Sequence, residues 1–135
     1  LAGLPYHFRS NSKDDADASR NREFQAVTGA VWLTRSDLYG QICTDNKSGI
    51  SGLSEQFIWA FDDVSACLSI KYNLKKKIVY CGGTDIFHEE SASLKKNPAN
   101  KLFMNQNINY FRNKWNGVAI SDADIYVQNS KHNLY

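Results

Sequence analysis

The sequence predicts an α+β fold: a single domain with a mostly antiparallel β-sheet packed against one or two helices. Three observations predict it. Runs such as EFQAVTGAVWL and KIVYC are rich in β-branched and aromatic residues, the composition of half-buried strands. Other stretches space their apolar residues three and four apart, as an amphipathic helix does. The 135 residues are 42% hydrophobic and 13% aromatic, enough to fill one core and too apolar for a disordered chain.

Residues 1–22 are expected to form a flexible N-terminal arm, and 23–135 the domain. The segment RSNSKDDADASRNR, residues 9–22, has no bulky apolar side chain and mixes both charges, so it has little to bury. From Glu23, EFQAVTGAVWL predicts a strand bulged at Gly29, Thr34 to Asp37 a turn, and LYGQIC a second strand, together an antiparallel hairpin. DNKSGISG is a loop. It contains Asn46-Lys47-Ser48, the spacing of an N-glycosylation acceptor.

The stretch QFIWAFDDVSACLSIKYNLKKKIVYCGGTDIFHEE, residues 56–90, is the expected architectural centre. Leu53, Phe57, Phe61, Val64 and Leu68 are spaced 4, 4, 3 and 4, which predicts a helix over about 54–65, opened by Ser54 and Glu55. FIWAF alone would suit a buried strand equally well. After it, Leu68, Ile70 and Tyr72 alternate, as do Ile78 and Tyr80, which predicts a strand–turn–strand unit broken by Gly82-Gly83. HEESASLKK places acids before lysines and predicts a helix, which Asn97-Pro98 either ends or follows with a new helix start, Asn97 as cap and Pro98 in the first turn. ANKLFMNQNINYFRNKW predicts a helix weakened by its asparagines. Asn116-Gly117 marks a turn, and VAISDADIYVQ a last strand.

The formal charge of +2 is too small to imply a polyanion partner, but its distribution is uneven. Residues 71–114 carry Lys71, Lys75, Lys76, Lys77, Lys95, Lys96, Lys101, Arg112 and Lys114 against Asp85, Glu89 and Glu90, a local +6. Of these, Lys75, Lys76, Lys77, Lys95, Lys96, Arg112 and Lys114 are the candidate binding residues, for an acidic protein surface or RNA. A solvated lysine-rich face is the plainer account. Trp32, Trp59 and Trp115 can stack on bases or simply fill the core.

Candidate chemistry is sparse. His88 with Glu89 or Glu90 is an acid–base pair in form, since a carboxylate raises an imidazole pKa. The spacing is not that of a zinc protease, because position 92 is Ala92. His7 lies between Tyr6 and Phe8 and is a second weak catalytic candidate. Asp122-Ala123-Asp124 puts two carboxylates on one side of an extended chain with no third acid near, and Gly82-Gly83 lacks a phosphate-loop pattern. No metal or cofactor is expected.

Three cysteines, Cys43, Cys67 and Cys81, show no CxxC spacing. In a secreted chain one disulfide among them is expected; in a cytosolic chain, three buried thiols. The chain begins at Leu1, which fits a processed secretory chain or a trimmed one, and no apolar run approaches a membrane span.

Ile70-Lys71-Tyr72-Asn73, a polar turn, Ile78-Val79-Tyr80-Cys81-Gly82-Gly83 and then His88 resemble the closing strands of the small secreted fungal guanyl-specific ribonucleases and ribotoxins. Tyr6-His7 is similar to that family's Tyr-Pro-His. Val31-Trp32-Leu33 followed by Leu38-Tyr39-Gly40 is similar to its next conserved segments, so the resemblance covers residues 5–88. The family's catalytic glutamate and arginine correspond to Val31 and Leu68, which can neither accept a proton nor neutralise a phosphate. The resemblance therefore implies a scaffold without ribonuclease chemistry, as in the ribonuclease-like secreted effectors of plant-pathogenic fungi. It implies a monomeric, secreted, non-enzymatic protein, able to act inside a host cell, that binds a host protein or RNA and is recognised by an immune receptor. Two alternatives stand beside it: a small secreted nuclease using His88 or His7 with a nearby glutamate, and a nucleic-acid-binding module without catalysis.

Overall fold

A computed structural model describes residues 4–5, 18–44, 46–58, 60–88 and 102–122. Among these the order is β1 (Arg22–Phe24), α1 (Ser36–Tyr39), α2 (Asp62–Leu68) running on as a π-helical stretch (Ser69–Asn73), β2 (Ile78–Tyr80) and α3 (Met104–Trp115). The class is α+β. The expected dominance of sheet is wrong: β1 and β2 form one two-stranded antiparallel sheet, and helices carry most of the regular structure described.

Residues 68–72 are helical, not a strand, because the helix from Asp62 to Asn73 is apolar on two faces. Val64, Leu68 and Tyr72, spaced by four, pack with Phe57, Phe61, Tyr110, Phe111 and Trp115. Ala66, Cys67, Ile70 and Leu74 pack with Ile42, Cys43, Ile78, Val27 and Trp32. Leu68 and Tyr72 thus serve one cluster and Ile70 the other, and two helical stripes interleave into false alternation. A helix buried on two sides is the partition between two cores. Each fully buried large apolar side chain in them contributes about 1.5–3 kcal/mol.

The helix also starts later than the stripe suggests. Ala60 and Phe61 take left-handed φ values of +68° and +72°, so the chain turns a corner there and α2 begins only at Asp62. Asp62 and Asp63 fill its first turn, where the helix dipole favours acids. Phe57 reaches the second core from a single turn closed by its N–H on the Ser54 carbonyl, 3.3 Å.

The expected hairpin over 23–43 does not form. After Phe24 the chain leaves the sheet, and Gly29 passes so close to Asp63 that a Cβ would stand 2.9 Å from that side chain's Cβ. The Gly29 N–H donates to Asp63 Oδ2 at 2.6 Å, fixing this segment to the start of α2. The turn at Thr34 to Asp37 tightens into α1, with the Tyr39 N–H on the Arg35 carbonyl at 2.9 Å. The partner of β1 is instead β2, with Glu23 opposite Val79 and Phe24 opposite Ile78. Ser19 and Arg20 run against Gly82, where a Cβ would meet the Ser19 carbonyl carbon at 2.4 Å.

The expected C-terminal helix is present as α3. Asn107, Phe111 and Trp115 form its buried stripe, while Asn105, Asn109 and Asn113 are exposed, so its asparagines mostly stay in water. It packs on α2 through large side chains, and the Trp115 indole N–H donates to the buried Ser65 hydroxyl at 3.1 Å. Asn116-Gly117 is the expected turn, with Gly117 at φ +73°. No strand follows among the described residues: the Ile120 carbonyl accepts from Gln25 Nε2 at 2.6 Å, and Gln25 Oε1 accepts from Tyr72 at 2.5 Å. The expected helix after His88 and residues 123–128 of the last strand lie outside the described residues.

Candidate functional site

Six of the nine basic residues of the central region are described, and they fall into two settings. The first is the turn that carries Lys75, Lys76 and Lys77. The π-helical stretch ends with the Leu74 N–H on the Ser69 carbonyl, 3.1 Å, and the Lys76 N–H on the Ile70 carbonyl, 3.0 Å. Between them Lys75 takes φ +55°. This is a helix stop of the Schellman kind, one residue wider because a π-helix ends there, with lysine where glycine usually sits. The main chain alone shapes the turn, and all three lysines are exposed.

Lys77 then enters the sheet. Glu23 faces Val79 across it, so Lys77 is the diagonal neighbour of Glu23 on the outer face. Their charges pair at 3.2 Å, with 78% of the Lys77 side chain still exposed, so the pair is worth at most about 1 kcal/mol. The inner face carries Ile78 into the first core, and Phe24 and Tyr80 meet edge to face at 6.0 Å.

The second setting is aromatic. Lys114 Nζ lies 5.5 Å from the Trp115 ring and 5.9 Å from that of Tyr110, and Lys71 Nζ lies 6.0 Å from the Tyr72 ring. All three rings belong to the second core, so its rim is covered by cations. Arg112 and Lys114 also occupy the last turn of α3, where positive charge suits the helix dipole. These two residues thus have a stabilising role in the fold that Lys75 and Lys76 lack. Lys95 and Lys96 lie outside the described residues.

Of the catalytic candidates, only His88 lies among the described residues. His88 is exposed, beside an Ile86 and Phe87 that are also exposed. Glu89, Glu90 and His7 lie outside the described residues, as does Asp124. Among the described residues no group of three or more His, Cys, Asp or Glu is placed to hold a metal. Gly82 serves packing: its N–H donates to Asn21 Oδ1 at 2.9 Å and is therefore not offered to a phosphate.

No disulfide joins Cys43, Cys67 and Cys81. Cys43 and Cys67 are buried in the same core but point their thiols to other acceptors, Asn46 Oδ1 at 3.3 Å and the Val27 carbonyl at 3.8 Å. Burial pushes the Cys67 thiol up to about 11, so it is unreactive at neutral pH, while Cys81 is exposed.

Two polar centres have roles in the fold that the sequence did not show, although one of them, Asn46, heads the sequon. One is Asp62-Asp63: burial, then the neighbouring Asp63 charge, raises the Asp62 pKa. The other is Asn46, whose side chain organises the 43–55 loop. Its Nδ2 donates to the carbonyls of Ile50 (2.8 Å) and Leu53 (2.7 Å), and its Oδ1 accepts from the Glu55 N–H (2.9 Å) and Cys43 Sγ. A loop with several carbonyls turned inward needs one donor at its centre, and that need was the available signal.

No family model, curated protein or solved structure matches this chain. Among the described residues no helix is long and apolar enough to cross a membrane.

Proposed function

We propose that this is a non-enzymatic, secreted, effector-type protein that acts as a monomer and binds a host macromolecule through a basic surface. Its reading as a plant-pathogen effector, recognised by an immune receptor, rests on the residue pattern described above, of which Ile78–Tyr80 is a strand and Ile70–Asn73 is helical. The observation that carries the binding surface is the Lys75–Lys77 turn. Three adjacent lysines are held out by main-chain hydrogen bonds, and among the described residues Lys77 alone of the three is paired with an acid, Glu23. Clustered like charges cost self-repulsion, which an acidic partner would relieve. The disulfide expected of a secreted chain does not form among Cys43, Cys67 and Cys81, so the secreted part of this reading rests on the sequence pattern and not on the cysteines.

The test is incubation of the full chain with labelled RNA and DNA, with cleavage and binding read together. No cleavage is expected. Salt-sensitive binding that disappears in the triple variant Lys75→Ser, Lys76→Ser, Lys77→Ser would make RNA the partner class. No binding at all directs the surface to an acidic protein. Cleavage that is lost in His88→Ala or His7→Ala would overturn the non-enzymatic reading.

A further inference from the structure

The sequon Asn46-Lys47-Ser48 lies on a surface loop, where such acceptors are normally read. Its amide, however, is fully used. Nδ2 has two hydrogens, one on the Ile50 carbonyl at 2.8 Å and one on the Leu53 carbonyl at 2.7 Å. The hydroxyl of the sequon is engaged too: Ser48 Oγ donates to Glu55 Oε1 and accepts from the Ile50 N–H at 3.2 Å. The loop mouth is closed by the Gly52 N–H on the Cys43 carbonyl, 3.0 Å.

We propose that a glycan on Asn46 and the closed 43–55 loop are mutually exclusive, so that loop closure hides the acceptor and glycosylation holds the loop open. N-glycosyl transfer forms a bond from Nδ2 to the anomeric carbon of the sugar. It breaks that carbon's bond to the lipid pyrophosphate carrier, which leaves with the electron pair, and Nδ2 gives up one proton. A single N–H remains, enough for one of the two carbonyls. Whichever hydrogen is replaced, the sugar carbon enters the space in front of an oxygen now 2.7 or 2.8 Å from Nδ2. The closed loop has no room for it, and the displaced carbonyl loses its donor. Asn46 thus reports whether the loop closes before or after the chain meets a glycosylating compartment. Passage through such a compartment in the source belongs to the secretory reading, but the exclusion is a property of the loop in any glycosylating host.

Gly52 gives a way to hold the loop open without touching the sequon. It takes φ +136°, and a Cβ there would stand 2.5 Å from the Tyr39 ring. The wild-type chain, Gly52→Ala and Ser48→Ala are secreted from a eukaryotic host. Intact mass, melting temperature and amide exchange at Gly52 and Glu55 are then measured. Any glycan mass lost in Ser48→Ala is at Asn46. Two results support the proposal: wild type unmodified with Gly52→Ala glycosylated several-fold more, or a wild-type glycoform that melts several degrees lower with Gly52 and Glu55 unprotected. A wild-type glycoform with unchanged melting and protection overturns it. Where the wild type carries no glycan, its absence from Gly52→Ala as well also overturns it, since closure would then not be what guards the site. Failure of the secretory reading would appear separately, as chain from its own source that has never been processed for export.

Discussion

The 43–55 loop and the Lys75–Lys77 turn precede and follow the central helix in the chain and are built in opposite ways. Side chains organise the first, Asn46 above all, which makes hydrogen bonds to Cys43, Ile50, Leu53 and Glu55. The second is closed by two main-chain bonds, from Leu74 and Lys76, and asks nothing specific of its side chains. Residues of the first are committed to the fold, so their identity says little about a partner. Residues of the second are free to be selected for something else, and they are three lysines. That contrast is why the lysine turn, and not the more elaborate loop, is the candidate surface.

The comparison breaks most clearly at Asn46. Asn46→Asp keeps the acceptor for Glu55 but turns a carboxylate on the Ile50 and Leu53 carbonyls, so both lose their donor and gain repulsion. We expect a loss of about 2–4 kcal/mol, read as a lower urea midpoint. Cys43, whose thiol points to Asn46, should label faster with a thiol reagent in this variant, while the exposed Cys81 labels fast in both. The triple serine variant of the lysine turn should move the midpoint by less than about 0.5 kcal/mol. If the two variants cost the same, the division between a committed and a free loop fails.

Gly52→Ala is next in size. A left-handed backbone and a Cβ 2.5 Å from the Tyr39 ring force either the ring or the loop to move. The expected cost is about 1–3 kcal/mol, seen in the same urea midpoint. Adding Tyr39→Ala should recover part of it, because the obstacle is a side chain.

What was legible in the sequence follows the same division. The lysine turn, β2, α3 and the Asn116-Gly117 turn were readable, because each depends on local pattern. The two-sided burial of residues 62–73 was not, since Leu68 and Ile70 belong to different cores and only the fold separates them. The corner at Ala60 and Phe61 was hidden too. Neither residue favours positive φ, and the packing of Phe61 on Phe111, with rings 5.3 Å apart, helps hold it there. For the site, the exposed charges could be seen and Asn46 could not. A sequon advertises an exposed asparagine, whereas this one is held by partners four to nine residues downstream.

Lys75 sharpens the comparison with the opposite sign. A non-glycine residue in the left-handed region costs about 1–2 kcal/mol, part of which glycine returns as unfolded-chain entropy. Lys75→Gly should therefore stabilise the chain by about 0.5–1 kcal/mol, measurable as a raised melting temperature. It also removes one charge from the turn. If this more stable variant binds an acidic partner more weakly, lysine is kept at that position for binding at the expense of the fold. If binding is unchanged, the turn's charge is incidental.

The smallest expected effect is a pH response confined to the Asn46 loop. The Ser48 hydroxyl, then the Ser48 N–H, lowers the Glu55 pKa, with Lys47 adding a little. A folded value below the unfolded one means that the unfolded chain binds the proton more readily. The stabilisation is therefore complete above the ordinary glutamate value of about 4.3 and is lost as the pH falls through the lower folded value. Glu55 is fully exposed, so the effect is small and shows best locally, as a loss of protection of the Ser48 amide, relative to the unfolded-chain exchange rate at the same pH, on acidification. Glu55→Gln should flatten that acid response while leaving exchange at Lys76 in the lysine turn unchanged. An acid response that survives in Glu55→Gln would mean that another group gates the loop, and the account of Ser48 and Glu55 as its second latch would have to be abandoned.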